Sequence, residues 1–126
     1  MNLKNQDVIA VIAEHEEKAK AFGFCWDNID QLLEQIHSEC NEVKQAWLRG
    51  DVTSLEEEIG DLITATVSLA IFCNFNPQET LAKNNQKFQK RYDTVVSLVQ
   101  ADGLENLQGQ PLSVLLSYWQ KAKEMN

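Results

Sequence analysis

Residues 28–74 read NIDQLLEQIHSECNEVKQAWLRGDVTSLEEEIGDLITATVSLAIFCN. Apolar residues recur here at intervals of three and four, the spacing that gathers side chains on one face of an α-helix, and Gly50 divides the stretch in two. The first half has a stripe of Ile29, Leu32, Leu33, Ile36, Cys40, Val43 and Trp47; the second has Leu55, Ile59, Leu62, Thr66, Leu69 and Cys73. Gly50 stands where a helix C-cap belongs, so the first helix should run from about Asn28, capped by Asp27, to Arg49. The second should begin near Ser54, where Thr53 and Glu56 form a capping box, and reach about Asn74. A connection this short makes the two helices an antiparallel hairpin.

The same periodicity extends outward. A helix from about Gln6 to Ala21 is expected upstream, with Val8, Ile9, Val11 and Ile12 inward and Gly23 beyond its end. Downstream, Asn76, Pro77 and Glu79 supply a cap, a first-turn proline and an acid at a helix start. That fourth helix should reach about Gln100 before the Asp102-Gly103 break. The segment Asp102 to Gln110 reads as a loop, and a last helix should cover Leu112 to about Met125, presenting Leu115, Leu116 and Trp119. The fold class is therefore all-α, and with no repeat, low-complexity tract or linker, residues 1–126 are expected to form one domain.

Charge narrows the function. Eleven Lys and Arg against 19 Asp and Glu give a net charge of -8, which opposes non-specific nucleic-acid binding and attraction to anionic membranes, since both rest on basic surface. A small phosphorylated substrate stays allowed if a cation or a local basic cluster offsets the field. Cys25, Cys40 and Cys73 are odd in number and widely spaced, which fits a reducing cytoplasm better than a disulfide framework or a zinc site. Met1 to Ala13 mixes Lys4 and Asp7 among apolar residues, unlike a signal peptide. The longest apolar stretch, Leu62 to Cys73, is twelve residues, short of the roughly 20 that span a bilayer.

Within the hairpin, Glu39 with Glu42 and Glu58 with Asp61 are each three residues apart, on one helical face. As a bare pattern this is unspecific, because a chain this acidic offers about one such match by accident. The hairpin changes its weight. Glu39 and Asp61 are equidistant from residue 50, as are Glu42 and Glu58, so the members of each pair face one another at equal height. At about 100° per residue, Glu39 and Glu58 lie roughly 80° from their stripe centres and Glu42 and Asp61 roughly 140°, all in the same sense. All four carboxylates should converge, and convergent carboxylates raise one another's pKa unless a cation lies between them. Oxygen ligands on rigid helices suit a hard ion, Mg²⁺ above all, with Mn²⁺ as a substitute. The ordinary alternative is a solvated acidic face. A di-iron carboxylate site would want two Glu-x-x-His motifs; Glu34 with His37 is one, but His15 has Ile12 three residues before it.

On the fourth helix Asn84, Lys87 and Arg91 share a flank beside the stripe of Leu81, Phe88, Tyr92, Val95 and Val99. A Lys and an Arg four residues apart can hold phosphate oxygens, or can simply be solvated beside Lys83 and Lys90. Trp119 and Lys123 form a similar four-residue pair on the last helix.

Four blocks together resemble the MazG family: Ser38-Glu39-Cys40-Asn41-Glu42-Val43, Leu55-Glu56-Glu57-Glu58-Ile59-Gly60-Asp61-Leu62, Lys83-Asn84-Asn85-Gln86-Lys87-Phe88-Gln89-Lys90-Arg91, and Trp119-Gln120-Lys121-Ala122-Lys123. The likeness runs from about Gly23 to Lys123 with the blocks in the family's order. MazG proteins belong to the all-α nucleoside triphosphate pyrophosphatases, with the dimeric dUTPases and the HisE phosphoribosyl-ATP pyrophosphatases. The resemblance implies a four-helix-bundle-like module with an additional C-terminal helix, assembled as a homodimer or a dimer of dimers, that hydrolyses a nucleoside triphosphate to the monophosphate and pyrophosphate. It implies Mg²⁺ on Glu39, Glu42, Glu58 and Asp61, with Glu39 or Glu42 as the base that orients the attacking water. It implies substrate contacts from Trp26, Asn84, Lys87, Arg91, Trp119 and Lys123. Two positions depart from the family's pattern: its Cys-Pro-Trp-Asp is here Phe24-Cys25-Trp26-Asp27, and its frequent acid before the first motif glutamate is Ser38. A non-catalytic helical module that binds a nucleotide or a protein partner is the competing reading.

Overall fold

Four of the helix starts carry a side chain that accepts a hydrogen bond from the first turn, which satisfies one of the backbone N–H groups a helix leaves unpaired. Residues 7–126 are described by a computed structural model, which contains α1 (Val8–Phe22), α2 (Ile29–Arg49), α3 (Val52–Phe72), α4 (Pro77–Ala101) and α5 (Leu112–Met125), with no strand among those residues. The all-α expectation holds. Asp7 caps α1 by accepting from the Ala10 N–H at 3.1 Å, and Asn76 caps α4 by accepting from the Glu79 N–H at 3.1 Å. The upstream start expected at Gln6 lies outside the described residues. Gly23 and Gly50 close α1 and α2 with φ of 99° and 69°, a left-handed geometry that a residue with a Cβ resists.

Two caps differ from expectation. Asn28, not Asp27, caps α2, accepting from the Gln31 N–H at 3.0 Å, while the Asp27 N–H donates to Gln31 Oε1 at 2.9 Å. Asp51 caps α3 in place of the Thr53 and Glu56 box: it accepts from the Ser54 N–H at 3.1 Å and from the Ser54 hydroxyl at 2.8 Å. With Asp51 directly after Gly50, the helix starts at Val52 and the turn shrinks to two residues. The same hydrogen bonds to the ionised form hold the Asp51 carboxyl below its usual range.

The chain forms two compact units, one through Thr80 and one from Leu81 onward, with the division falling inside α4. In the first, α3 packs along α2 and against α1. Leu32 and Ala46 of α2 are 1% and 0% exposed, and Val67 and Ser68 of α3 are buried. Ser68 donates its hydroxyl to Glu16, which ties α3 to α1. The stripe drawn from periodicity is only partly buried, since Trp47 is 70% exposed and Ile59 and Thr66 are also exposed. The neighbouring Ala46, not Trp47, is the buried residue at this end of α2.

In the second unit the C-terminal half of α4 meets α5. Val99, Tyr118 and Ala122 are buried, Tyr118 donates its hydroxyl to Asp102 at 2.6 Å, and the Asn126 amide donates to the Thr94 hydroxyl at 2.9 Å. Leu81, Phe88 and Tyr92, expected inward, remain about half exposed.

Candidate active site

The acids of the hairpin are set by its register. Glu39 on α2 and Glu58 and Asp61 on α3 bring one carboxylate oxygen each within 4.8 Å of one another, with Glu39 and Glu58 half-buried and Asp61 exposed. Glu42, the fourth acid expected here, lies outside that group and is exposed, although Asp61, at the same expected offset from its own stripe, lies within it. Partial burial raises the pKa of Glu58 above its ordinary value near 4.5, and the charges of Glu42, Asp61, Glu39 and Glu57 add to the effect in that order. Glu42 therefore acts on the cluster through its field. Among the described residues no Lys or Arg forms an ion pair with these acids; the pair present is Lys18 with Glu14, elsewhere on α1.

A donor set of carboxylates without a basic neighbour fits a hard divalent cation. The Gln35 side-chain amide, one turn before Glu39 on α2 and half-buried, donates to Glu39 Oε1 at 2.5 Å and so restrains that carboxylate. Periodicity did not single out Gln35, although its four-residue spacing from Glu39 was a visible signal. A groove of about 350 Å³ starts at these acids and passes Gln35, Leu32, Thr64 and Ala65 to Ser68 and Trp26. Trp26, expected as a substrate contact, thus lies in the same unit and along the same groove as the acids.

The remaining expected contacts lie in the second unit. The Arg91 guanidinium sits over the Trp119 ring, 5.9 Å from its centroid, and Phe88 packs on the same ring at 5.7 Å. Tyr92 stacks on Phe88 at 6.0 Å. The Arg91 Nε is buried without a hydrogen-bond partner, a state that costs free energy and favours an incoming acceptor. Asn84, Lys87 and Lys123 are exposed and are not drawn into this aromatic group by any recorded contact. Sequence reading treated Arg91 and Trp119 as separate contacts; their stacking is a tertiary feature that spacing along one helix does not encode.

The all-helical fold is the one the family resemblance implied, and comparison with known proteins shows the family itself. The family model of the MazG nucleotide pyrophosphohydrolase domain matches residues 27–96, more than half of the chain. The chain belongs to that family. The match includes every acid of the cluster and Asn84, Lys87 and Arg91, and ends before α5. The nucleoside triphosphate pyrophosphohydrolase/pyrophosphatase MazG of Thermotoga maritima is 38% identical over 108 residues, covering 86% of this chain and 41% of that protein. The nucleoside triphosphate pyrophosphohydrolase of Escherichia coli K12 is 34% identical over 112 residues, with the same coverages of 86% and 41%. The chain spans about two fifths of the length of these relatives, 41% in each case.

Proposed function

We propose that this protein is a divalent-metal-dependent pyrophosphohydrolase that converts a nucleoside triphosphate to its monophosphate and pyrophosphate. The observation that carries the reading is the convergence of Glu39, Glu58 and Asp61 within 4.8 Å in a chain of this family. Those three residues would hold the cation, Mg²⁺ with Mn²⁺ as a substitute, and Glu42 would complete the set. A bound cation of this kind supplies charge neutralisation on the phosphates and lowers the pKa of a coordinated water. Glu39 or Glu42 accepts the proton of the water that attacks the α-phosphorus and aligns it opposite the pyrophosphate leaving group. The Gln35 amide keeps Glu39 oriented for that role.

Asn84, Lys87 and Arg91 contact the phosphates, and the buried Nε of Arg91 gains the acceptor it lacks. Trp119, Lys123 and Trp26 contact the nucleoside. The exposed apolar residues of the hairpin, Trp47, Leu48, Val52 and Ile63, each more than half exposed, support assembly with a second copy as a homodimer or a dimer of dimers. Three free cysteines suit a cytoplasmic setting, and the charge of -8 argues against nucleic-acid and membrane partners. Among the described residues no single helix is long and apolar enough to cross a membrane.

The test is pyrophosphate release from canonical, deoxy and modified nucleoside triphosphates with Mg²⁺ or Mn²⁺. Asp61→Ala should keep the helical circular dichroism of the wild type and lower turnover about a thousandfold. Saturable nucleotide binding without turnover in the wild type would instead support the non-catalytic module.

A further inference from the structure

The groove beside Glu39 and Asp61 is lined as well by Trp26 and Ser68. Both residues also line a second cavity of about 630 Å³, bounded by the C-terminal half of α1 and by the turn between α3 and α4. Its volume suits a nucleoside. Aromatic surface comes from Trp26, Phe72 and Phe75, and the charged groups are two carboxylates, Glu16 and Glu17, against one cation, Lys20, with Ser68, Asn74 and Asn76 as the neutral polar lining. Glu16 is engaged by the Ser68 hydroxyl, whereas among the described residues no ion pair or hydrogen bond occupies Glu17. Asn74, at the same wall, has a φ of 66° because it closes α3 in the left-handed conformation usual for a helix end, with the Phe75 N–H donating to the Ala70 carbonyl at 2.9 Å.

We propose that this cavity is the base subsite of the same active site and that Glu17 is its specificity-determining residue, selecting a base with an exocyclic amine. The inference rests on the nucleotide reading above. An amine donates a charge-assisted hydrogen bond to the Glu17 carboxylate; a carbonyl at the same ring position, as in uracil, turns an oxygen toward that carboxylate and is repelled. The ring stacks on the aromatic walls, and its triphosphate extends past Ser68 along the groove toward Glu39 and Asp61. Cytosine and uracil differ at that group and at the neighbouring N3, which carries a proton only in uracil, so the contribution of Glu17 is isolated by the Glu17 variants together with the pair.

Calorimetry with the α,β-imido analogues of dCTP and dUTP in Mg²⁺ reads this without turnover. The dCTP analogue should bind about tenfold more tightly than the dUTP analogue. Glu17→Gln, whose amide can present either its oxygen or its N–H, should collapse the ratio to near one, and Glu17→Asp should restore part of it. Lys18→Gln, one residue on along the exposed side of α1, should keep the full ratio. Equal binding of the two analogues by the wild type, or an undiminished ratio in Glu17→Gln, overturns the proposal. Absence of pyrophosphate release with the binding ratio intact would overturn the enzymatic reading alone.

Discussion

On the hairpin, three carboxylates lie within 4.8 Å of one another with no Lys or Arg paired to them among the described residues, whereas on α4 and α5 a guanidinium lies 5.9 Å over an indole with its buried Nε unpartnered. The two regions carry opposite charges and opposite deficits. The acidic one is assembled by a single local element, because a two-residue turn sets the register of both helices and hence the approach of all its acids. The basic one depends on the packing of α5 on α4, since Trp119 reaches Arg91 only across a loop. A divalent cation would relieve the first, and an anionic acceptor the second.

The largest expected effect comes from breaking the acidic side. Glu39→Gln keeps the side-chain volume but removes the carboxylate proposed as a cation ligand and base, and should lower pyrophosphate release by about two to three orders of magnitude. Its counterpart Arg91→Lys keeps the charge but loses the planar fork and its stacking on Trp119, and should raise KM about tenfold with a smaller change in kcat. A larger loss from Arg91→Lys than from Glu39→Gln would reverse the ordering of the two regions.

Gln35→Met keeps the length of the side chain and removes the donor to Glu39. Mn²⁺ affinity measured by calorimetry without nucleotide should fall about tenfold, the effect usual for removing a group that orients a metal ligand. Unchanged affinity would mean that the hairpin register alone orients Glu39.

The pH dependence of stability probes the repulsion itself. The folded-state pKa of Glu58 is raised above its ordinary value near 4.5, so its ionisation disfavours the folded state as pH rises through and above that range. Metal-free Glu58→Gln should therefore melt at a higher temperature than wild type near neutral pH, and the difference should shrink as pH falls toward 4.5 and the wild-type group takes up its proton. A gap that widened on acidification would show that Glu58 is stabilised by a partner, not strained by its neighbours.

The smallest effect concerns a helix start. Asn28→Ala should cost about 1 kcal/mol in chemical denaturation, while Asp27→Ala should be close to neutral. That contrast also marks how far the sequence could be read. Periodicity and caps of the Asn-Pro and Gly type located all five helices within a few residues, because each signal acts inside its own turn. Two neighbouring residues that can both cap, Asp27 and Asn28, are separated only by backbone geometry, and the same holds for Asp51 against Thr53. The convergence of Glu39, Glu58 and Asp61 was legible because a hairpin turns sequence distance from its turn into height. Two contacts and one exposure were not legible. The Ser68 to Glu16 hydrogen bond joins residues 52 positions apart, the Arg91 and Trp119 stack needs the α4–α5 packing, and Trp47 is 70% exposed although it falls on the apolar stripe.

The Gly50-Asp51 turn has a consequence for how such a chain can change over time. Surface loops ordinarily tolerate insertions and deletions. Here one added residue at the start of α3 would swing Glu58 and Asp61 about 100° around the helix axis relative to Glu39, dispersing the acids although every one of them was retained. The identities of Gly50 and Asp51 have substitutes; the number of residues between them and the acids does not. In this turn it is the count, more than the composition, that inheritance has to preserve.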